Sequence, residues 1–183
     1  MKDLNTYLNE VRLSELKRPV STKRTYKYHP KDHDELKKLV DRLIHERGNN
    51  ADLNDIDTSK VTDMSHLFCN SDFNGDISEW NVSKVKDMSY MFQLSRFNGD
   101  ISDWDVSNVE NMRSMFYNTP FNGDISRWDV YNVTNMINMF CLSDFNGDIS
   151  RWDVQPDTNT EFMFGNCPIR KIPDWYMRTL ENN

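Results

Sequence analysis

The ten residues FNGDISRWDV occur at 121–130 and again, letter for letter, at 145–154, with close copies FNGDISEWNV at 73–82 and FNGDISDWDV at 97–106. Phe73, Phe97, Phe121 and Phe145 are thus 24 residues apart, and the register holds for Ile77/Ile101/Ile125/Ile149, Trp80/Trp104/Trp128/Trp152 and Val82/Val106/Val130/Val154. A fixed period of this size constrains the fold more than any other feature: one unit is too small to bury its own apolar face, so copies must stack and bury it against each other. The downstream half keeps step in Val61/Val85/Val109/Val133, Met64/Met88/Met112/Met136, Leu67/Met91/Met115/Met139/Met163 and Phe68/Phe92/Phe116/Phe140/Phe164. Five units result, at 49–72, 73–96, 97–120, 121–144 and 145–168. The first is partial, with Leu53 in the Ile ladder and Ile56 in the Trp ladder, and the last degrades, with Asp157 and Thr160 at Val and Met positions.

Within a unit the period changes. Val109, Met112, Met115 and Phe116 fall on one face of a short helix, and Ser107 with Glu110 reads as its capping box, which predicts a helix of two to three turns over NVENMRSMFYN. FNGDISRW is too short and too interrupted by Gly for a helix, so Asn122-Gly123 is predicted as a turn and Asp124–Trp128 as a short strand. One strand and one helix per unit predict an α/β repeat solenoid with a parallel sheet along one face.

The shared motif, FNGDIS-x-W-D/N-V-S-N/K-V-x-x/D-M-x-x-M-F over residues 49–168, resembles the BspA-like leucine-rich-repeat family of bacterial and phage-encoded proteins. The resemblance implies a right-handed coil used for binding, with short parallel strands on one face and short helices on the other. It carries over no catalytic or cofactor residues. Many members of that family are exported to the cell surface.

With 183 residues there is room for one domain of ordinary size. Residues 1–48 carry twelve Lys and Arg against eight Asp and Glu, whereas 49–168 carry seven against nineteen, so a basic arm precedes an acidic repeat array of net charge −12. Leu4, Tyr7, Leu8 and Val11 predict one amphipathic helix in the arm; Leu36, Leu39, Val40, Leu43 and Ile44 predict a stronger one, opening after Pro30, stopping at Gly48 and capping the first unit. Between them KRPVSTKRTYKYHP is either an extended segment docked on the repeats or a flexible linker. Residues 169–183 read as a C-terminal cap with an amphipathic tail. No run approaches the roughly 18 apolar residues of a membrane span, and the first twenty residues lack the apolar core of a signal peptide, so a cytoplasmic location is expected. Cys69, Cys141 and Cys167 match no zinc or disulfide framework and are expected as reduced thiols.

Asp76, Asp100, Asp124 and Asp148 would stack at roughly 4.8 Å, like charge on like charge. Each carboxylate is expected to accept backbone N–H bonds from its own Asn-Gly turn; the alternative is an acidic stripe for cations or a basic protein face. The Trp ladder, paired strictly with Ile and Val, is expected to be buried rather than to form a platform for sugars. Positions that change between units are the natural places for specificity: Glu79, Asp103, Arg127 and Arg151 beside the strand, Tyr90/Ser114/Asn138/Phe162 and Gln93/Tyr117/Cys141 on or after the helix. No nucleophile–base pair, metal motif or cofactor motif is present, and the acidic array opposes nucleic acid. The expected function is therefore non-enzymatic binding of a protein partner inside the cell, with a phage or mobile-element origin and a host target suggested by the resemblance. An acidic mimic of nucleic acid and a surface adhesin are the alternatives.

Overall fold

The computed structural model describes residues 25–182. The helix expected around Leu4–Val11 lies outside the described residues. Among the described residues two helices form, α1 (His33–Arg47) and α2 (Asp174–Asn182), and between them the chain runs through turns and isolated parallel bridges.

The start of α1 follows from its sequence. Asp32 caps it, accepting the Glu35 N–H at 2.9 Å, acidic residues occupy its first turn, and Gly48 at φ 88° ends it. Leu36, Val40 and Leu43 are buried and join the same apolar cluster as Leu53, Ile56 and Met64 of the first unit. Arg47 fixes the helix end with a two-pronged ion pair to Asp55 at 3.0 and 2.9 Å and a bond to the Asp52 carbonyl. Of the two expectations for the basic arm, docking holds for residues 27–28. Tyr28 bridges Ile56 in parallel, the Lys27 N–H donates to the Asp55 carbonyl and the Tyr28 carbonyl accepts from Asp57.

Successive units lie in register. Parallel bridges join Asp63 to Asp87, Asp87 to Asn111, Asn111 to Asn135 and Asn135 to Asn159. The core is a lattice of aromatic rings. Phe92 stacks at 4.1 Å on Phe97, which opens the next unit, and at 5.5 and 5.6 Å on Phe68 and Phe116, its counterparts in the units on either side; Phe116, Phe121, Phe140 and Phe145 repeat the pattern. The expected Trp burial is realised with its polar atom satisfied. Each indole N–H donates to the carbonyl one unit back, Trp80 to Leu53, Trp104 to Ile77, Trp128 to Ile101 and Trp152 to Ile125. Trp175 in α2 continues the ladder by bonding the Ile149 carbonyl at 2.9 Å and stacking on Trp152 at 6.1 Å, so the C-terminal segment closes the array as an imperfect further copy.

The helix expected in each unit does not form. In the first unit the N–H groups of Met64, His66, Phe68 and Asn70 bond carbonyls of the next unit, while those of Leu67, Cys69 and Ser71 close three-residue turns. His66 and Asn70 have φ of 57° and 56°, the left-handed region that ends an α-helix, and the same two positions are left-handed in every later unit. Apolar steps of 3, 3 and 1 suit a chain of β-turns as well as a helix, which is why the spacing misleads. The capping box is absent too: the Ser107 hydroxyl donates to Asp105, and the Glu110 N–H goes to the Lys86 carbonyl.

The expected strand Asp124–Trp128 is likewise replaced by irregular backbone and a turn at 126–127. Side chains make the links a sheet would have made. Asn74 Oδ1 accepts the Asn98 N–H, Asn98 that of Asn122, and Asn122 that of Asn146. Asn122-Gly123 is therefore a rung rather than a turn. Glycine follows because a Cβ on Gly99 would meet the Phe97 ring at 2.8 Å and the Gly75 carbonyl at 3.3 Å.

These two kinds of link differ in length. Phe rings from the backbone-bonded half repeat at 5.5–5.7 Å from Phe68 to Phe140, whereas those of the FNGD half repeat at 6.4–6.5 Å. The units fan open toward the FNGD side, and the M-x-x-M-F turns occupy the tighter side.

Candidate functional site

Short polar residues fix the backbone of each unit. The Oδ1 of Asp76, Asp100, Asp124 and Asp148 accepts the N–H of the Ser two residues on, at 2.9–3.0 Å. The donor is thus downstream of the carboxylate and not in the Asn-Gly pair before it. These bonds hold the Asp124 and Asp148 carboxyls below their ordinary value, the Ser126 backbone N–H acting first at Asp124 and the Ser150 hydroxyl at Asp148. Asp87, Asn111 and Asn135 do the same in the M-x-x-M-F half, which explains why that column accepts either Asp or Asn. The acidic ladder spends one oxygen of each carboxylate on its own backbone.

Among the sequence-selected residues the structure brings two groups together. Arg127 reaches back to Asp103 at 3.0 Å, both side chains more than two thirds exposed, and Asp124, Ser126, Arg127, Asp148 and Arg151 line one shallow depression. Asp76 and Glu79 are exposed on the same FNGD side. Tyr117 is not with them; it lies half-buried on the turn side, in the column of Cys69, Gln93 and Cys141.

On that turn side lie four columns, at 65, 66, 69 and 70 and every 24 residues after; of their twenty positions over five units all but the buried Ser89 and Ser114 are at least partly exposed. They hold one acid, Glu161, and one base, Arg113. His66 stacks on Tyr90 at 4.6 Å, and the Arg113 guanidinium lies over Tyr90 at 6.0 Å with its Nε buried and without a hydrogen-bond partner. Leu94, Leu142 and Phe162 are 44%, 42% and 65% exposed, and all three are left-handed at φ 55°, 61° and 53°. Left-handed geometry costs a bulky residue about 1 kcal/mol or more, while Asn, found in those columns at 70, 118, 138 and 166, bears it readily. Sequence inspection reached Tyr90 and Phe162 as variable residues but missed Leu94 and Leu142. The signal was there: large apolar residues alternating with Asn in one column.

Burial pushes the Cys69, Cys141 and Cys167 thiols up, so they stay protonated at neutral pH, and all three are free. Among the described residues no group of three or more His, Cys, Asp or Glu is placed to hold a metal ion, and no helix is long and apolar enough to cross a membrane.

No curated protein and no solved structure matches the chain. Residues 36–141 and again 118–182 match the model of a repeat family described as "Mycoplasma protein of unknown function, DUF285", the second match starting inside the first as expected of a tandem repeat. By that match, which takes in the repeat array and its C-terminal closure, the chain belongs to this family.

Proposed function

We propose that the chain is a non-enzymatic repeat solenoid that binds a protein partner inside the cell. One observation carries the reading: residues that repeat unchanged are spent on the scaffold, while those that vary point outward, Glu79, Asp103, Arg127 and Arg151 on the FNGD side and the columns of Tyr90 and Leu94 on the turn side. Phe, Ile and Trp ladders are buried, and Asn and Asp ladders bond backbone. What remains free to differ between units is a set of exposed side chains on a rigid frame, the arrangement by which repeat proteins present recognition surfaces. Three free thiols suit a reducing compartment.

The test is an affinity capture from soluble lysate with the full chain, washed at low and at high salt. A stoichiometric protein that survives high salt supports the reading; none in either wash sinks it. A second reading, an acidic mimic of nucleic acid, is favoured by the exposed Asp76, Asp100, Asp124 and Asp148 ladder. It calls for a partner that is lost at high salt and displaced by DNA or RNA.

A further inference from the structure

We propose that the turn-side face, centred on Tyr90, Leu94, Arg113, Leu142 and Phe162, docks a protein segment that is apolar and aromatic at its centre and rimmed with Lys and Arg. The proposal rests on the protein-binding reading and assigns the site and the partner's chemistry.

Three observations lead there. The first is composition. The repeats carry −12 overall, yet the eighteen accessible positions of this face hold one acid and one base, with Tyr90, Tyr117, Phe162, Leu94 and Leu142 set among mostly neutral polar residues. Depletion of charge with aromatic and large aliphatic residues exposed is the composition of an interface core, and eighteen residues is close to the usual size of one side. The second is strain. Leu94, Leu142 and Phe162 hold left-handed backbone, which costs each of them stability, while leaving apolar surface exposed to solvent. Asn at the same columns shows that the frame does not need them. Strain kept at an exposed position points to a use outside folding. The third is shape and field. This is the tighter side of the fan, and the acidic residues concentrate on the opposite half, so the array as a whole presents a negative potential to an approaching partner. A second copy of the chain, itself at −7, is repelled by that field; a segment with basic flanks is drawn in.

The experiment selects binders to the immobilised full chain from a random-peptide phage library, then measures the enriched peptides against Leu94→Asn/Leu142→Asn and Asp100→Asn/Asp124→Asn. The expected peptides combine aromatic or aliphatic residues with Lys or Arg. Their affinity should fall about ten-fold or more in L94N/L142N. The unfolding midpoint of that variant should stay level or rise, since Asn suits the left-handed region; a structural role would lower it. Enriched peptides that are acidic, or that bind L94N/L142N normally and lose affinity in D100N/D124N, overturn this assignment while leaving protein binding intact. Failure to enrich any peptide counts against both.

Discussion

Replacing Trp128 by Ala tests whether the ring lattice is what holds the units together. The indole is 4% exposed, stacks on Trp152 at 6.5 Å, packs against Phe116 at 6.4 Å and donates its N–H to the Ile101 carbonyl at 3.2 Å. Removing a buried Trp side chain costs about 3–5 kcal/mol in lost transfer energy and cavity. The orphaned Ile101 carbonyl falls within the upper part of that range. With a urea slope of about 2 kcal/mol per molar, the midpoint should drop by roughly 2 M. Trp128→Phe separates the two contributions, because it keeps a stacked ring and loses only the donor and part of the area; about half the loss is expected. The neighbouring Arg127→Ala removes an ion pair whose partners are 72% and 84% exposed, so its effect should stay within about 0.5 kcal/mol. Far-UV circular dichroism follows all three without relying on the altered Trp. Equal midpoints for W128A and R127A would refute the reasoning, since the repeated rings would then not be the interior.

Gly99→Ala should destabilise by more than the roughly half to one kcal/mol of backbone entropy it restores, because its Cβ meets a buried Phe ring rather than open space; urea titration against wild type reads the sign. Asn122→Ala should cost about 1 kcal/mol, since the Asn146 N–H loses its acceptor while facing solvent that partly replaces it. For pH, the Asp55, Asp57, Asp124 and Asp148 carboxyls are lowered from 3.8, Asp55 chiefly by Arg47 and Asp57 by the Ser59 hydroxyl. The unfolded chain therefore takes up protons at higher pH than the native one, so stability is fully present above 3.8 and falls as the pH drops through the lowered values. Thermal midpoints of wild type and Asp55→Asn should differ at neutral pH and converge in acid; a constant gap would deny the ion pair a role.

The amino-acid sequence determined the period, the stacking of units, the buried ladders of Phe, Ile and Trp, and α1 between Pro30 and Gly48, because those features depend on repetition and on local capping. Pattern alone did not decide the backbone within a unit. A turn chain and a helix share the apolar spacing of Val109, Met112, Met115 and Phe116, and only the stack selects between them, since each unit can give its N–H groups to the next instead of to itself. Asn122 looked like a turn residue and became a rung for the same reason. Variable columns were visible at Tyr90 and Tyr117, but Leu94 and Leu142 acquired meaning only when the structure placed them exposed in left-handed backbone on the tighter side. Whether a side chain points outward at a strained position depends on neighbours 24 residues away, and that is information a single unit does not hold.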